Sequence, residues 1–448
     1  MRGICILFGL AALLVAAPLA EAQTGKPSGK TLDIYVIDVE GGKATLFITP
    51  NGETVLLDTA NPGQRDQDRM AAVFAAAGVK QIDYLVTTHY HVDHIGGMQA
   101  LAKAMPIKHY IDHGPSVEER EQVAGFQAAY AELKKAAKST VVKPGDKLPI
   151  AGIDWTVVTS AGQVVKKALP GGGKPNPSCA DFKPRENLRD PENGQSLGSV
   201  ITFGKFRTID LGDLLWNNEG DLMCPNNPIG TVDLYLVSHH GTDPSGSAAL
   251  VHALHPRVAI MQNGTRKGGT LQTSQVINSS PGLEDLWQLH WSYNGGVEHN
   301  PAGLFIANVD EPAVIANILT APPPAPRGGG PGGPGGPAGT AAGAPAGAPG
   351  APATPPATAP AVIPPTTATP PAITPPATQP PTAPPAAAAP QTPGAPGGPG
   401  GPGGPGGGRG GAQAHAGPAH WIKVSASADG SFTVTNSRNN FSRTYAAR

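Results

Sequence analysis

The sequence is poor in cysteine and nearly balanced in charge, and the charge balance excludes one class of function. It has 3 Cys, 32 Lys plus Arg and 33 Asp plus Glu, for a formal net charge of −1. Proteins that hold long nucleic acid by neutralising phosphates usually carry a basic surplus or a basic stripe. This chain has neither, so long nucleic acid is not an expected partner and any anionic substrate has to be held locally.

Long apolar runs are scarce as well. One occurs in residues 1–22, where Arg2 precedes an apolar stretch at 4–17 and small residues follow at Ala20-Glu21-Ala22. This is the pattern of a cleaved signal peptide, and the stretch is shorter than the roughly 20 apolar residues of a membrane span. We therefore predict a secreted or periplasmic protein with no stable membrane span. An uncleaved anchor is the alternative.

The mature chain would retain two cysteines, Cys179 and Cys224, both in loop-like runs that contain Pro and Asn. An even pair in a secreted chain is a candidate disulfide. Neither residue belongs to a Cys-x-x-Cys motif, so thiol redox chemistry is not expected. Two free thiols and a metal-binding pair are the alternatives.

Glycine and proline, in contrast, are abundant, with 59 Gly and 50 Pro among 448 residues. Residues 321–418 have almost no charge and no aromatic side chain, which predicts a disordered, partly polyproline-II insertion. Residues 419–448 regain an alternating pattern around Asp429-Gly430, which predicts a β-hairpin. We expect this hairpin to complete the domain formed by residues 23–320; a separate C-terminal module is the alternative.

Strand and helix patterns alternate within residues 23–320. Short runs of β-branched and apolar residues predict strands at 31–39, 44–49, 53–58, 82–88, 108–112, 196–203, 206–211, 231–238 and 257–262, with a hairpin at 147–160. Apolar residues at helical spacing predict helices at 66–77, 95–105, 116–138 and 247–255. Residues 163–192 show no periodicity and predict a long loop. The alternation predicts a layered α/β protein with sheets inside and helices outside.

The strongest functional signal is His89-Tyr90-His91-Val92-Asp93-His94, directly after an apolar strand. Residues i and i+2 of an extended run point the same way, so His89 and His91 can face one metal ion. As the chain turns into the next helix, Asp93 and His94 can face a second ion. Imidazole and carboxylate are ligands that zinc accepts. The run therefore predicts a metal site, with a solvated histidine cluster as the alternative.

These residues form a His-x-His-x-Asp-His signature, and the chain resembles the metallo-β-lactamase-fold hydrolases, in particular the branch of ComEC-type competence proteins. Three further stretches carry the resemblance: Leu56-Leu57-Asp58-Thr59, Ile209-Asp210-Leu211-Gly212-Asp213, and residues 233–242 with His239 and His240. The resemblance implies a four-layer αββα sandwich with a metal site at one edge, between the two sheets.

The resemblance also implies roles for these residues. Asp58 would support a ligand histidine, Asp213 would bridge both metal ions, and a histidine of the last motif would complete the second site. Asp213 is preferred to Asp210, because Asp210 lies inside its strand. Adjacent residues on an extended strand point to opposite sides, so only one histidine of the last pair is expected to bind this ion. We expect His239 to be the ligand and His240 to serve the substrate or support the site.

One departure from the family concerns the first metal ion. Most members supply a third histidine ahead of the hairpin that leads to the bridging aspartate, whereas residues 191–196 contain none. The first site is therefore expected to consist of His89, His91 and Asp213, with help from Asn193. Two zinc ions are the expected cofactors, and manganese, which tolerates oxygen ligands better, is the alternative.

Together these features predict a secreted metal-dependent hydrolase that activates water against an ester-like or phosphodiester bond. Asp93 would hold the second ion and orient the water or carry its proton, and His240 is the other catalytic candidate. The expected substrate is a small molecule or a short phosphodiester. Two alternatives remain: a lactonase or β-lactamase-type acyl hydrolase, and a non-catalytic metal-binding surface protein that works through its Pro/Gly-rich segment.

Weaker candidates lie elsewhere, and nothing in the sequence indicates the oligomeric state. The turn at 263–269 is either an anion-binding loop or a plain basic turn. His109 and His113 are expected to be packing or surface residues. His290 and His299 either wall the cleft or serve packing.

Overall fold

The computed structural model describes residues 31–188, 190–309 and 419–448. The predicted signal peptide and the Pro/Gly-rich segment lie outside these residues. Among the described residues, no helix combines the length and the apolar character needed to cross a membrane.

Strands and helices alternate along the chain, as the sequence pattern predicts. The strands are β1 (Thr31–Val36), β2 (Thr45–Ile48), β3 (Thr54–Leu57), β4 (Tyr84–Val86), β5 (His109–Asp112), β6 (Lys138–Val141), β7 (Lys147–Leu148), β8 (Asp154–Ser160), β9 (Gln163–Val164), β10 (Lys174–Pro175), β11 (Gly198–Phe203), β12 (Phe206–Asp210), β13 (Asn226–Asn227), β14 (Leu234–Leu236), β15 (Val258–Met261), β16 (Asp285–His290), β17 (Ile306–Asn308), β18 (Ile422–Ser427), β19 (Phe432–Asn436) and β20 (Ser442–Tyr445). The α-helices are α1 (Gln64–Ala77), α2 (Val92–Ile95), α3 (Met98–Ala104), α4 (Glu121–Lys135), α5 (Pro191–Gly194), α6 (Trp216–Met223), α7 (Ala248–Leu254) and α8 (Leu271–Asn278).

The strands form two large mixed sheets. The first has the order β20-β19-β18-β1-β2-β3-β4-β5-β6, and the second has the order β17-β16-β15-β14-β12-β11-β8-β7, with β9 beside β8. Strands that follow one another through a helix, such as β3 and β4 or β14 and β15, are parallel. Directly connected strands, such as β1 and β2 or β11 and β12, are antiparallel.

Three apolar clusters separate four layers. One cluster lies between the sheets and contains Val36, Phe47, Trp155 and Leu236. A second packs the outer face of the first sheet against α1, α3 and α4, through residues such as Phe74, Leu101 and Tyr130. A third packs the second sheet against α6, α7 and α8, through residues such as Leu222, Leu250 and Ile277. This helix–sheet–sheet–helix order confirms the predicted four-layer αββα sandwich.

The C-terminal residues form part of the first sheet. β18 pairs antiparallel with β1 over its whole length, from Thr31 opposite Ser427 to Val36 opposite Ile422. The sequence predicts a hairpin here, and the structure has a third strand, β20, beside β19. The Tyr445 hydroxyl donates a hydrogen bond to Asp285 at 2.6 Å and so reaches the start of β16 in the other sheet.

The structure contains elements that the sequence did not predict: α6, α8, β16 and several very short ones. The predicted loop at 163–192 contains the two-residue strands β9 and β10 and the start of α5. Elements of two to four residues are too short to show a periodic pattern. The predicted helix at 95–105 corresponds to α3, and Gly96 and Gly97 separate it from the short helix α2, which ends at Ile95. A Cβ atom on Gly97 would lie 2.0 Å from the Thr59 carbonyl oxygen, so the chain packs too closely there for any side chain.

A disulfide joins Cys179 to Cys224, with Cα atoms 5.7 Å apart and a sequence separation of 45 residues. Asn176 strengthens the same link, because its side-chain amide donates to the carbonyl oxygens of Met223 and Ala249 at 3.1 and 2.8 Å. The loop that follows β10 is thereby tied to the end of α6 and to α7.

We expect the double variant Cys179→Ser, Cys224→Ser to have a free energy of unfolding about 3–4 kcal/mol lower than that of the oxidised wild type. In the chain-entropy model, a crosslink that closes a loop of this length restricts the unfolded chain by that amount. Urea unfolding with and without a reductant measures the effect. The wild type should lose stability on reduction, and the double variant should be insensitive to the reductant. Equal stability of the oxidised wild type and the variant would contradict the prediction.

Candidate metal centre

The motif residues meet at one edge of the sandwich, where four strands end. Asp58 follows β3, His89 to His94 follow β4, Asp213 follows β12, and His239 and His240 follow β14. β3 is parallel to β4, and β12 is parallel to β14, so their carboxyl ends open at the same edge. Polar side chains from both sheets therefore converge here.

Four side chains form the tightest group: Asp93, His94, Asp213 and His240. His240 Nε2 lies 3.3 Å from Asp93 Oδ2 and 3.3 Å from Asp213 Oδ2. His94 Nε2 lies 3.5 Å and 3.4 Å from the same two oxygens. Ligands about 2.0–2.2 Å from one tetrahedral zinc ion are separated by roughly 3.3–3.6 Å. The four atoms are thus spaced as the ligands of a single divalent cation would be.

Two more nitrogens lie near Asp213. His239 Nε2 lies 3.6 Å from Asp213 Oδ2, and His89 Nε2 lies 3.9 Å from the same oxygen. The rings of His89 and His91 are 4.6 Å apart. His89, His91 and His239 thus form a second group, which approaches Asp213 Oδ2 through His89 and His239.

Hydrogen bonds at Nδ1 decide which nitrogen of His94 and His240 faces the centre. His94 Nδ1 lies 2.8 Å from Asp58 Oδ2, and His240 Nδ1 lies 3.2 Å from the Gln262 carbonyl oxygen. Both partner oxygens only accept hydrogen bonds, so Nδ1 carries the proton in each ring. Nε2 is left to face the carboxylates, which is the arrangement that metal-binding histidines require.

Two hydroxyl groups orient the rings of His89 and His239 in the second group. Thr88 Oγ1 donates to Asp58 at 2.6 Å and therefore accepts from His89 Nδ1 at 3.1 Å. Ser245 Oγ donates to the Leu214 carbonyl oxygen at 2.7 Å and therefore accepts from His239 Nδ1 at 3.0 Å. The Nε2 atoms of His89 and His239 thus present lone pairs to the centre as well.

The last motif differs from its sequence interpretation. β14 ends at Leu236, and His239 and His240 have φ values of 51° and 56°, in the left-handed region. The premise that this pair lies on an extended strand is wrong, because two successive left-handed residues turn both rings towards Asp213. The structure places His240, rather than His239, in the group with Asp93 and His94. His239 lies on the side of Asn193, whose amide nitrogen is 3.5 Å from its Nε2.

Asp210 and Asp58 each have buried hydrogen-bond partners. Asp210 accepts a hydrogen bond from buried Lys43 at 2.6 Å. Asp58 is fully buried and also accepts the Thr88 backbone N–H at 2.8 Å. Asp58 thereby holds the strand end that carries the histidine motif.

The centre attracts positive charge. Burial by itself would raise the pKa of Asp213, but His240, His94 and His239 lower it well below its usual range. Burial also opposes the charge on Asp93, whose pKa Lys267 and His94 lower well below its usual range. In the opposite sense, burial disfavours a charged His94, yet Asp213, Asp93 and Asp58 raise its pKa well above its usual value. Burial lowers the pKa of His239 to about 4, which keeps this imidazole neutral at neutral pH.

The residues fit a divalent metal ion. The Nε2 atoms of His89, His94 and His240 and the Oδ1 atom of Asp213 are buried and make no hydrogen bond. A buried polar atom without a partner is costly, typically about 1–3 kcal/mol. A cation at the point where these atoms converge would satisfy them together.

Glu192 and Lys267 are functional candidates that sequence reasoning missed as individual residues. Glu192 is fully buried and accepts the backbone N–H groups of Tyr90 and Val117 at 2.9 and 2.8 Å. Its carboxylate also lies 3.0 Å from His113 Nε2, so it fixes the backbone between His89 and His91. Lys267, in the basic turn at 263–269, places its ammonium on Asp93 Oδ2. Two features of the sequence could have indicated them. Glu192 is a carboxylate in the segment that lacks the third histidine, and Lys267 is a cation in a turn that follows a strand.

A second group, Asp38, Glu40 and His290, is also close enough to hold a cation. Arg69 Nη1 lies 2.8 Å from Asp38 Oδ2, and His290 Nε2 lies 2.7 Å from Asp38 Oδ1. Burial would raise the pKa of Asp38, but His290 and Arg69 lower it to about 2. The guanidinium already supplies the positive charge, so we interpret this group as a buried ion network that joins the two sheets. His290 thus serves packing between the sheets.

Residues 38–183 match the Metallo-beta-lactamase superfamily. The chain is 28% identical over 249 residues to ComE operon protein 3 of Bacillus subtilis (strain 168), which covers 52% of this chain and 28% of that protein. It is 23% identical over 268 residues to Competence protein ComA of Neisseria gonorrhoeae, which covers 60% of this chain and 32% of that protein. The matches thus span about a third or less of each relative.

Among solved structures, the metallo-beta-lactamase fold protein YhfI from Bacillus subtilis is similar, with a TM-score of 0.35 and 11% identity. The match covers 58% of this chain and 96% of that protein. The superfamily match includes the His-x-His-x-Asp-His motif. Residues 38–183 are therefore similar to the metallo-beta-lactamase superfamily, and they carry that motif at the edge where the candidate metal ligands meet.

Proposed function

We propose that this protein is a dinuclear metal-dependent hydrolase, and that its domain consists of residues 23–320 completed by residues 419–448. The observation that carries the proposal is the spacing of 3.3–3.5 Å among Asp93, His94, Asp213 and His240. Zinc is the proposed cofactor, because imidazole and carboxylate ligands in this ratio suit it. A bound zinc ion lowers the pKa of its water towards neutrality and so supplies a hydroxide for attack.

The proposed ligand sets share Asp213. Asp93, His94 and His240 hold one cation with Asp213, and His89, His91 and His239 hold the other. In this arrangement His239 takes the place of the third histidine that residues 191–196 lack. Its unprotonated Nε2 and its proximity to Asp213 support the assignment. Asn193 supports His239 from the side.

The protein's own side chains would orient the reaction. Asp58, Thr88 and Ser245 hold the rings of His94, His89 and His239 through Nδ1, so the three Nε2 atoms point at the centre. Asp93 is partly exposed, at 19%, and is the carboxylate best placed to orient the attacking water or to carry its proton. His240 belongs to the ligand set in this proposal, which replaces its role as a separate catalytic group.

Lys267 favours an anionic substrate over a neutral ester. Its side chain is 44% exposed beside Asp93, so it is accessible from solvent at the centre. The turn that carries it is held by Asn294, whose amide donates to the carbonyl oxygens of Arg266 and Gly268 at 2.9 and 3.0 Å. A fixed cation beside a metal centre stabilises an anionic group such as a phosphodiester. The resemblance to the ComEC-type branch points to the same class, and the balanced net charge favours a short substrate over long nucleic acid.

A secreted or periplasmic location is part of the proposal. It is supported by the pattern of residues 1–22 and by the disulfide, because disulfides persist in oxidising compartments.

The test is removal and return of metal, read out on matched substrates. We expect chelated protein to lose hydrolysis of bis-p-nitrophenyl phosphate and to regain it with zinc or manganese. Lys267→Gln should raise KM for this anion and leave a neutral p-nitrophenyl ester unaffected. A β-lactam serves as the third substrate. Full activity of metal-free protein would refute the proposal. Hydrolysis of the ester or the β-lactam in preference to the phosphodiester would instead favour an acyl hydrolase.

A further inference from the structure

His91 differs from the other imidazoles of the centre in how it is held. The rings of His89, His94, His239 and His240 each have a partner at Nδ1. In His91 it is Nε2 that lies near acceptors, Glu118 Oε2 at 3.0 Å and Asp190 Oδ1 at 3.2 Å, and neither contact is aligned as a hydrogen bond. Neither carboxylate belongs to a family motif described above. A single imidazole nitrogen between two carboxylates carries its proton on that nitrogen, which leaves Nδ1 as the lone-pair atom.

The two carboxylates come from separate segments that Glu192 ties together. Glu118 lies ahead of α4, and Asp190 precedes α5 and accepts the Asn193 N–H at 3.1 Å. Glu192 accepts the Val117 N–H at 2.8 Å and the Tyr90 N–H at 2.9 Å. One buried carboxylate thus fixes the loop that carries Glu118, the turn that carries Asp190, and the backbone beside His91.

Arg120 limits the charge of this arrangement. Its Nε donates to Glu118 Oε2 at 2.6 Å, and its Nη2 lies 3.8 Å from Asp190 Oδ2. The Glu118 side chain is only 6% exposed, against 48% for Arg120. The Arg120 guanidinium thus lies beside both carboxylates and balances part of their negative charge.

We infer that Glu118 and Asp190 are positioning residues that orient His91 through Nε2 and strengthen the hold of the first cation. This inference rests on the proposed function, since it assigns His91 to that cation. Carboxylates behind a ligand histidine raise its basicity and fix its ring. They act at the cation that His239 completes in the proposed ligand set, and the negative charge behind His91 strengthens the hold on that cation.

The test uses Glu118→Gln, Asp190→Asn and the double variant, with Glu119→Gln as the matched control. Glu119 is the exposed neighbour of Glu118, so its variant removes the same charge without touching His91. Asn at position 190 keeps an oxygen that can cap α5. Zinc affinity is measured by chelator competition, which resolves the two binding steps, and hydrolysis is measured at increasing zinc concentration.

We expect each single variant to bind the first cation roughly 10-fold more weakly, and the double variant up to about 100-fold more weakly. The second cation should bind as in the wild type, Glu119→Gln should change neither step, and excess zinc should restore hydrolysis. Unchanged zinc affinity of the double variant would overturn the inference. So would an equal loss in Glu119→Gln, or a loss of activity that excess zinc does not restore. A wild type that binds no divalent ion would instead overturn the proposed function.

Discussion

Replacing His240 by alanine is expected to remove one of two bound metal ions and to reduce the rate of hydrolysis by more than about 100-fold. Loss of a residue that only hydrogen-bonds to a metal ligand typically costs roughly 10- to 100-fold. His240 Nε2 closes the group with Asp93, His94 and Asp213 and lies 3.3 Å from both carboxylates. Without it, the cation keeps a single imidazole, that of His94, and two carboxylates, one of which is shared with the other cation. Metal analysis after dialysis and steady-state assays on bis-p-nitrophenyl phosphate measure the two effects.

His239→Ala separates the two neighbouring histidines. It should weaken the other cation, because His239 Nε2 faces Asp213 from the side of Asn193. The ion held with His240 should stay. His252→Ala is the control, since His252 lies on α7 and contacts the Val276 carbonyl oxygen, away from the centre. A His240→Ala protein that keeps two ions and full activity would contradict the ligand assignment.

Removing Trp421 to Arg448 is expected to prevent folding. The lost strands β18, β19 and β20 contribute side chains to the core between the sheets: Ile422, Val424, Ala426, Phe432, Val434 and Tyr445. Full burial of one large apolar side chain contributes about 1.5–3 kcal/mol, and a whole domain is stable by only about 5–15 kcal/mol. The truncation also leaves β1 as an unpaired sheet edge, which promotes aggregation. Soluble yield and circular dichroism of the truncated protein measure the outcome.

Shortening the chain between the two folded segments is the matched comparison. Asn308 and His420 lie side by side, because the His420 N–H donates to Asn308 Oδ1 at 2.8 Å and Asn308 Nδ2 donates to the His420 carbonyl at 2.9 Å. Joining Thr320 to Ala419 shortens the chain that connects these two neighbouring residues, and the entropy of loop closure changes only slowly with length. We expect an almost unchanged melting temperature and unchanged metal-dependent hydrolysis. Loss of activity in this variant, together with a stable C-terminal truncation, would contradict the proposed domain.

The sequence alone determined the local elements and the core of the metal motif. Local residue patterns predicted β1, β2, β3, β15 and α1. They could do so because the strand and helix periods depend only on residues that are close in sequence. The residues from His89 to His94 could be found in the same way, since they are contiguous. Asp58 and Asp213 could be found only through their resemblance to family motifs.

The tertiary structure decided how the side chains share the site. His239 and His240 turn to one side because both adopt left-handed backbone, which the apolar strand before them does not reveal. Glu118, Asp190 and Glu192 reach the histidines from loops far away in sequence, and no periodic pattern marks a carboxylate that folding brings to an imidazole. The position of β18 beside β1 likewise depends on the burial of its apolar face between the two sheets. That burial stabilises the strand only when both sheets are assembled.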